Sequence, residues 1–180
     1  MEYRFRGGFE TKNFEVANIL KEIAVFLEMD DVQFKPRAYE KAARSIEALQ
    51  EDVEEIYRKG GIKALMEIPG VGKSIAEKIE ELIKTGKIKY HEELKEKVPV
   101  DLESLSGIEG LGPKTIKTLW QELKIRNIED LEKAALAHKI CKLPGFKEKT
   151  EQNILKGIEF AKRSKGTVSY THLTLPTIYS

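Results

Sequence analysis

The sequence has a single cysteine and few histidines, and it has no long apolar run. Because the one cysteine, Cys141, cannot form an intramolecular disulfide, a disulfide-stapled secreted fold is excluded and a reducing compartment is expected. No stretch of about 18 consecutive apolar residues occurs, so we expect neither a membrane-spanning helix nor a membrane partner. The basic residues near the N-terminus precede no apolar core, which argues against a signal peptide. The histidines, which show no zinc-site spacing with Cys141 and predict no zinc site, are His91, His138 and His172.

An excess of charge of one sign is also missing. Lysine and arginine number 31 against 30 aspartates and glutamates, which gives a net charge of +1. A strongly basic nucleic-acid coat protein is thereby excluded, and any binding of nucleic acid must come from a local arrangement of groups. The length of 180 residues and the hydrophobic content of 41% are those of a globular protein with one domain or two small domains.

A short turn sequence occurs three times, as IPGVGK at residues 68–73, EGLGPK at 109–114 and LPGFK at 143–147. Each copy follows a short apolar stretch and precedes a helix-like run, which is typical of the helix-hairpin-helix motif. Such a turn presents backbone N–H groups at the start of a helix, where a phosphate binds readily. Repeated sites of this kind hold a nucleic-acid backbone without reading its sequence. The residues expected to contact DNA in the first two turns are Gly70, Gly72, Lys73, Gly110, Gly112 and Lys114.

The third copy departs from this pattern. It keeps Pro144 and Gly145, but Lys147 stands where the other two copies have their second glycine. We interpret it as a weakened or purely structural copy. Proline–glycine turns join helices in many proteins, so a single copy would indicate little, whereas two full copies and a degenerate third favour DNA binding.

Apolar residues recur at helical spacing along most of the chain, and almost nothing alternates with period two before residue 166. This pattern predicts an all-α fold class, with two small helical domains built around tandem helix-hairpin-helix motifs. Gly60 and Gly61 are expected to end a helix. The predicted helices and helical hairpins cover residues 13–28, 37–49, 53–58, 62–67, 73–84, 102–123, 128–137 and 138–162.

The charged stretch at residues 90–99 is the predicted boundary between domains. Residues 168–180 contain no lysine, arginine, aspartate or glutamate, although the whole chain is 34% charged. We therefore expect the native reading frame to stop near Lys165, and the rest to be a disordered tail left by cloning, sequencing or a frame shift. The predicted segments are an N-terminal extension at 1–12, a first helical domain at 13–89, a second at 90–165 and the artefactual tail at 166–180.

The segments RAYEKAA at residues 37–43, IPGVG at 68–72 and IAEKI at 75–79 resemble the N-terminal part of a family X DNA polymerase. This is the DNA polymerase beta group, and the third hairpin is similar to its bacterial and archaeal members. The resemblance covers about residues 13–165. It implies a lyase-type domain that binds a 5′-phosphate, followed by a DNA-binding subdomain, in a monomeric, cytoplasmic, nucleoid-associated enzyme of base excision repair. The implied partner is gapped or nicked double-stranded DNA.

The same resemblance implies that the palm domain, which binds Mg²⁺ in this family, would lie downstream of this chain. We therefore expect no polymerisation by these residues alone. Two rival interpretations stay open. One is a non-enzymatic tandem helix-hairpin-helix module of a repair or recombination protein, and the other is a helical scaffold for protein partners. The scaffold predicts no affinity for DNA and no dependence on salt.

Lys78 is the residue that the resemblance assigns to catalysis. In the family, the lysine of the AEKI run forms a Schiff base with the sugar aldehyde of a 5′-deoxyribose phosphate, which permits β-elimination. Such a lysine attacks as the neutral amine, and Lys73, Lys41 and Lys35 could supply a cationic field around it. The alternative is a solvated helix lysine beside Glu77 and Glu81.

The resemblance also assigns binding of the 5′-phosphate to Lys35 and Tyr39, and a lysine and a phenol are plausible phosphate donors. Three positions depart from the beta enzyme. Phe34 stands where that enzyme has a histidine, and Met66 and Ser74 stand where it has lysines. These departures weaken the expectation of lyase activity more than the expectation of DNA binding.

Hairpin turns in this family hold a monovalent cation, Na⁺ or K⁺, through backbone carbonyl oxygens, which suit hard cations. Side-chain identity hardly constrains such a site, so only the resemblance implies it here. By match, the carbonyl groups belong to Met66, Ile68, Val71, Ser106, Ile108 and Leu111.

Overall fold

The computed structural model describes residues 12–167, and the side chains as far as residue 163. Over this range the predicted all-α class is confirmed, since the chain forms helices and turns without a strand. Residues 1–11 and 168–180, which hold most of the predicted extension and tail, lie outside the described residues. The helices are α1 Lys12–Met29, α2 Lys35–Glu47, α3 Val53–Met66, α4 Lys73–Thr85, α5 Lys89–Lys97, α6 Leu102–Ser106, α7 Pro113–Leu123, α8 Ile128–Leu136 and α9 Glu148–Thr167.

The first unit contains helices α1 to α5, and the chain divides into its two units between Pro99 and Val100. Helices α1 and α2 pack together along most of their length, and α3 packs on α4. The predicted break at the glycine pair appears as a kink inside α3, where Gly61 has φ 62° and ψ −149°. The core of this unit is aliphatic and includes Val16, Leu20, Ile23, Ile46, Leu65 and Ile79.

Helix α5 corrects the predicted domain boundary. The stretch at 90–99 was expected to be a connector after a first domain ending at residue 89, but most of it forms a helix that packs on α1. Its apolar face recurs at positions 91, 94 and 98, where His91, Leu94 and Val98 are all buried. The Nε2 atom of His91 lies 2.6 Å from a carboxylate oxygen of Glu22 on α1. The charged residues lie on the other face of the helix. Because they outnumber the buried ones, the helical spacing of the buried residues is hard to recognise in the sequence.

The second unit contains helices α6 to α9, with α8 packed on α9. Its buried residues include Leu105, Ile116, Leu119, Leu131 and Ile154. The third hairpin differs from the prediction, because residues 138–147 form turns rather than a first helical arm. Helix α8 ends at Leu136, and His138 adopts the left-handed conformation with φ 50°, which ends the helical path. Helix α9 also continues two residues past the expected native end at Lys165. Among the helices of residues 12–167, none is both long enough and apolar enough to cross a membrane.

Candidate nucleic-acid interface

The three turns share one backbone geometry. Their first glycines have φ values of 84°, 88° and 86°, at Gly70, Gly110 and Gly145. These are left-handed conformations that only glycine adopts without strain. In each turn the N–H group of the next residue donates to the carbonyl oxygen three residues earlier. The three hydrogen bonds are Val71 to Ile68 at 3.0 Å, Leu111 to Ile108 at 3.1 Å and Phe146 to Leu143 at 3.1 Å.

The second glycine of the first two turns has a different role. Gly72 and Gly112 are the N-cap residues of α4 and α7, with φ of −84° and −83°. Any residue adopts this extended conformation, and a Cβ atom at either position would meet no protein atom within 4 Å. Lys147, which stands at this position in the third turn, is therefore compatible with the shared backbone. The backbone geometry of the third turn therefore does not explain why this copy would be weaker, as the sequence-based interpretation held.

The start of α9 differs from the starts of α4 and α7 in charge. Helix α9 carries Glu148 and Glu151 in its first turn, and the positive end of a helix dipole is partly neutralised by such residues. Helices α4 and α7 have no acidic residue there and no side-chain cap. Their first N–H groups are therefore accessible to an external anion.

Helix α2, like α4 and α7, has no acidic residue in its first turn. Of the helices formed by residues 12–167, only α2, α4 and α7 lack an acidic residue in their first turn. Helices α3, α6 and α8 are capped instead by the side chains of Asp52, Asp101 and Asn127. The three acid-free helices begin at, or one residue before, the lysines selected from the sequence: Lys35, Lys73 and Lys114.

Each of the first two turns is backed by a neighbouring helix of its own unit. A Cβ atom on Gly70 would lie 2.9 Å from Cγ of Lys41 and 3.4 Å from the backbone nitrogen of Ala42, so α2 packs directly against the first turn. A Cβ atom on Gly157 would lie 2.8 Å from Cγ2 of Ile108, so α9 packs against the second turn. These close contacts hold each turn in place.

Lys78 lies one helical turn after Ser74 on α4. Its Nζ atom is 3.2 Å from the Ser74 hydroxyl oxygen, 3.4 Å from the Ser74 carbonyl oxygen and 5.2 Å from the centroid of the Tyr90 ring. Lys78 and Tyr90 line a surface cleft of about 340 Å³, whose other walls are Glu77, Glu81, Lys89 and Glu93. An aromatic ring at this distance attracts an ammonium group.

Tyr39 approaches the same region from α2. Its side chain is buried, and its hydroxyl group is hydrogen bonded to Ser74. Burial first, and the nearby Tyr90, raise the pKa of Tyr39 to about 12, although the bond to Ser74 acts in the opposite direction. The phenol therefore keeps its proton at neutral pH. The structure thus brings Tyr39, Ser74, Lys78 and Tyr90 together.

Two of these residues were not selected as site residues from the sequence. Ser74 counted only as a departure from the family, and Tyr90 fell in the stretch expected to be a connector. No local signal in the sequence indicates that Tyr90 faces Lys78, because that contact depends on the packing of α5. Lys35 begins α2, directly after Phe34, which has φ 62° and is 84% exposed.

The chemistry of the turn carbonyls fits a monovalent cation. In the first turn the carbonyl oxygen of Ile68 accepts one backbone hydrogen bond, from Val71, and Ile108 accepts the equivalent bond from Leu111. A carbonyl oxygen has two lone pairs, so each retains acceptor capacity. The six carbonyl groups selected from the sequence remain a predicted ligand set.

Comparison with protein families gives two matches. A family described as helix-hairpin-helix domain matches residues 11–88, and a family described as SAM-like helix-hairpin-helix tandem matches residues 102–159. The two matches fall on opposite sides of the division between the units. Together they include all three turns.

The curated proteins similar to this chain include two DNA polymerases. DNA polymerase/3′-5′ exonuclease PolX of Bacillus subtilis (strain 168) is 33% identical over 145 residues, which are 80% of this chain and 24% of the relative. DNA polymerase lambda of Rattus norvegicus is 28% identical over 119 residues, which are 66% of this chain and 19% of the relative. The chain thus spans a quarter or less of the length of these relatives. With the two helix-hairpin-helix matches, they show that the chain is a tandem helix-hairpin-helix region similar to the N-terminal part of family X DNA polymerases.

Proposed function

We propose that this chain binds gapped or nicked double-stranded DNA through backbone phosphates, as the N-terminal part of a monomeric family X DNA polymerase in base excision repair. One observation carries the proposal. The acid-free, uncapped helix starts of α2, α4 and α7 coincide with the lysines and glycine turns selected from the sequence. Anions bind at such helix starts because N–H groups and the helix dipole both favour negative charge.

The absence of side chains at Gly72 and Gly112 supports contact with a phosphate. Neither glycine is required by the backbone or by internal packing, since both have negative φ and open space at Cβ. A backbone without a Cβ atom lets a phosphate approach closely. Lys73 is well exposed beside the first of them and adds a positive charge without fixed geometry.

The first unit would bind the downstream 5′-phosphate of a gap, and the second turn would bind the upstream primer strand. Lys35 at the start of α2 would supply charge to the 5′-phosphate. Tyr39 would donate a hydrogen bond from its phenolic O–H group, which stays protonated at neutral pH because its pKa is raised. The turn carbonyls would hold Na⁺ or K⁺, which would supply positive charge beside each turn, and Mg²⁺ would be needed only by a polymerase domain.

We also propose a lyase step at Lys78. The neutral Nζ atom would attack C1′ of the ring-opened 5′-deoxyribose phosphate, and loss of water would give an iminium ion. Removal of a C2′ proton would then break the C3′–O bond and release the downstream strand with a 5′-phosphate. The Ser74 oxygen atoms, at 3.2 Å and 3.4 Å, would orient the amine.

Binding to one-nucleotide-gapped DNA, with and without a 5′-phosphate and across a salt series, tests the proposal. We expect tighter binding to the phosphorylated gap, and we expect Lys35→Ala to reduce that preference. Lys149→Ala is the matched control, because Lys149 is an exposed lysine in the first turn of α9. Equal binding to both gaps would favour a non-enzymatic tandem module, and no binding at all would favour the protein scaffold.

A further inference from the structure

Three side chains with metal-binding atoms meet where the third turn joins α9. They are His138, Cys141 and Glu151, and their nitrogen, sulfur and oxygen atoms all lie within 4.8 Å of one another. A carboxylate oxygen of Glu151 lies 2.7 Å from Nδ1 of His138, and the other accepts a 3.0 Å hydrogen bond from the Cys141 backbone nitrogen. The sequence-based expectation of no zinc site weighed only the histidines and the cysteine, and Glu151 completes the group.

The fold holds this group in position. Glu151 is 3% exposed on the first turn of α9, with both oxygens directed at the turn. Cys141 lies three residues after His138 and its Sγ atom is 3.5 Å from the His138 carbonyl oxygen. The His138 side chain is 75% exposed, so one side of the group is open to solvent.

We propose that His138, Cys141 and Glu151 bind one Zn²⁺ ion, with water as the fourth ligand. Imidazole nitrogen, thiolate sulfur and carboxylate oxygen are the donors that zinc takes in proteins, and four-coordination is its usual geometry. The charges balance, because one thiolate and one carboxylate neutralise the ion. Glu148 lies close enough to Cys141 to add negative potential at the same place.

The geometry requires only a small adjustment. Zinc–ligand bonds of about 2.0–2.3 Å place neighbouring donor atoms roughly 3.3–3.7 Å apart in a tetrahedron. The 2.7 Å contact between His138 and Glu151 would open by less than about 1 Å, and the exposed imidazole is the group able to move. His138 would bind through Nδ1 with its proton on Nε2. Cys141 would release its thiol proton to solvent, so binding releases about one proton for each ion.

Such an ion would clamp the end of α8 to the start of α9. It would hold the third turn in place. This matters because no helix directly precedes that turn, since residues 138–147 form turns. The site would therefore stabilise the folded state by an amount that rises with the logarithm of the zinc concentration once the site is largely occupied. This consequence does not depend on DNA binding or on lyase activity.

Cobalt substitution of the full chain tests the proposal. We expect Co²⁺, added under reducing conditions, to give d–d bands and a thiolate-to-cobalt charge-transfer band at one ion per chain, and Zn²⁺ to displace both. Cys141→Ser should abolish the charge-transfer band, and His138→Ala should weaken Zn²⁺ binding at least about tenfold. Both changes avoid the buried Glu151, and circular dichroism would verify that the variants fold.

His172→Asn is the matched control and should bind Zn²⁺ like the unaltered chain. Calorimetry in buffers of different ionisation enthalpy should detect the released proton. The midpoint of thermal unfolding should rise with Zn²⁺ in the unaltered chain but not in Cys141→Ser. Absence of a charge-transfer band, unchanged Zn²⁺ affinity in Cys141→Ser, or loss of binding in His172→Asn would each overturn the proposal and leave a hydrogen-bonded network of three side chains.

Discussion

The Nζ atom of Lys78 lies 5.2 Å from the centroid of the Tyr90 ring, so the residue proposed as a Schiff-base nucleophile faces an aromatic ring supplied by α5. The negative face of a ring stabilises an ammonium group by about 0.5–1 kcal/mol at an exposed site. Tyr90 therefore holds the side chain of Lys78 in position.

Replacement of Tyr90 by leucine should slow formation of the Schiff base. Loss of the ring contact removes a neighbour that holds the Lys78 side chain, so borohydride trapping of a 5′-deoxyribose phosphate substrate should become about two- to fivefold slower. Tyr90→Phe keeps the ring and serves as the control with an unchanged rate. An unchanged rate in Tyr90→Leu would show that the ring does not orient Lys78, and trapping that persists in Lys78→Ala would locate the nucleophile elsewhere.

Glu80 gives the first unit a pH-dependent link between α3 and α4. Its carboxylate accepts hydrogen bonds from Lys84 at 2.8 Å and from the Tyr57 hydroxyl at 2.6 Å. Lys84 first, and then Tyr57, hold the pKa of Glu80 below its ordinary value. A carboxyl group whose pKa is lower in the folded state stabilises the fold above its unfolded pKa, and this stabilisation is lost as pH falls through the folded pKa.

The change Glu80→Gln should therefore lower the midpoint of thermal unfolding at pH 7. The difference from the unaltered chain should begin to shrink near the ordinary glutamate pKa of about 4.3 and vanish below the lowered pKa of the folded state. Glu77→Gln is the control, since Glu77 is paired only loosely with Lys73, at 4.0 Å. Melting curves measured at several pH values decide the matter. A difference that stays constant from pH 7 to pH 3 would mean that the carboxylate charge contributes nothing.

The acidic start of α9, as well as the missing second glycine, should limit the third turn. Lys147→Gly removes the Cβ atom at the position where Gly72 and Gly112 leave room for a phosphate, but it also removes a positive charge, so we expect little net change in DNA binding. Glu148→Gln should strengthen binding by roughly two- to fivefold at low salt, because an acidic residue in a first helical turn opposes an anion by about 0.3–1 kcal/mol. Fluorescence anisotropy at two salt concentrations measures both effects. Unchanged binding by Glu148→Gln would show that the acidic residue does not limit the third turn.

The sequence predicted what depends on local spacing. Helical periodicity located α1 and α4 to within about a residue, and the three glycine turns were identified because a left-handed glycine is a requirement of the turn itself. Helix α5 was missed because its buried face includes His91, whose partner Glu22 lies 69 residues away. The contacts of Tyr90 with Lys78 and of Glu151 with Cys141 likewise depend on how a helix packs on the segment before it, for which one sequence contains no signal.

The sequence alone did not distinguish the roles of the two glycines, and the reason is physical. A turn that reads Gly-x-Gly suggests that both glycines serve the backbone. The φ values separate them, because Gly70 is left-handed at 84° whereas Gly72 is extended at −84°. The first glycine is therefore needed for folding, and the second is available for function.

This separation predicts opposite outcomes for two neighbouring alanine substitutions. Gly70→Ala should destabilise the first unit by about 1–3 kcal/mol. A residue with a Cβ atom is strained in the left-handed conformation of this position, and the new Cβ atom would lie 2.9 Å from Cγ of Lys41. Gly72→Ala should leave stability unchanged or raise it by about 0.4–1 kcal/mol, since a Cβ atom there is compatible with the fold. Thermal and urea unfolding of the two variants would measure this difference.

For DNA binding, the substitution that is harmless to stability should be the damaging one. Gly72→Ala, and equally Gly112→Ala in the second unit, should weaken binding to gapped DNA of every sequence, because the new methyl group occupies the place of a phosphate at the start of α4 or α7. Gly86→Ala is the control for a loss of stability away from the helix start, since Gly86 follows the last turn of α4 with a left-handed φ of 78° and its alanine variant should lose stability without losing affinity for DNA. Anisotropy titrations on two unrelated gapped sequences make the comparison. If Gly72→Ala folds and binds both DNAs like the unaltered chain, no phosphate lies against the first turn, and the proposed interface loses its central contact.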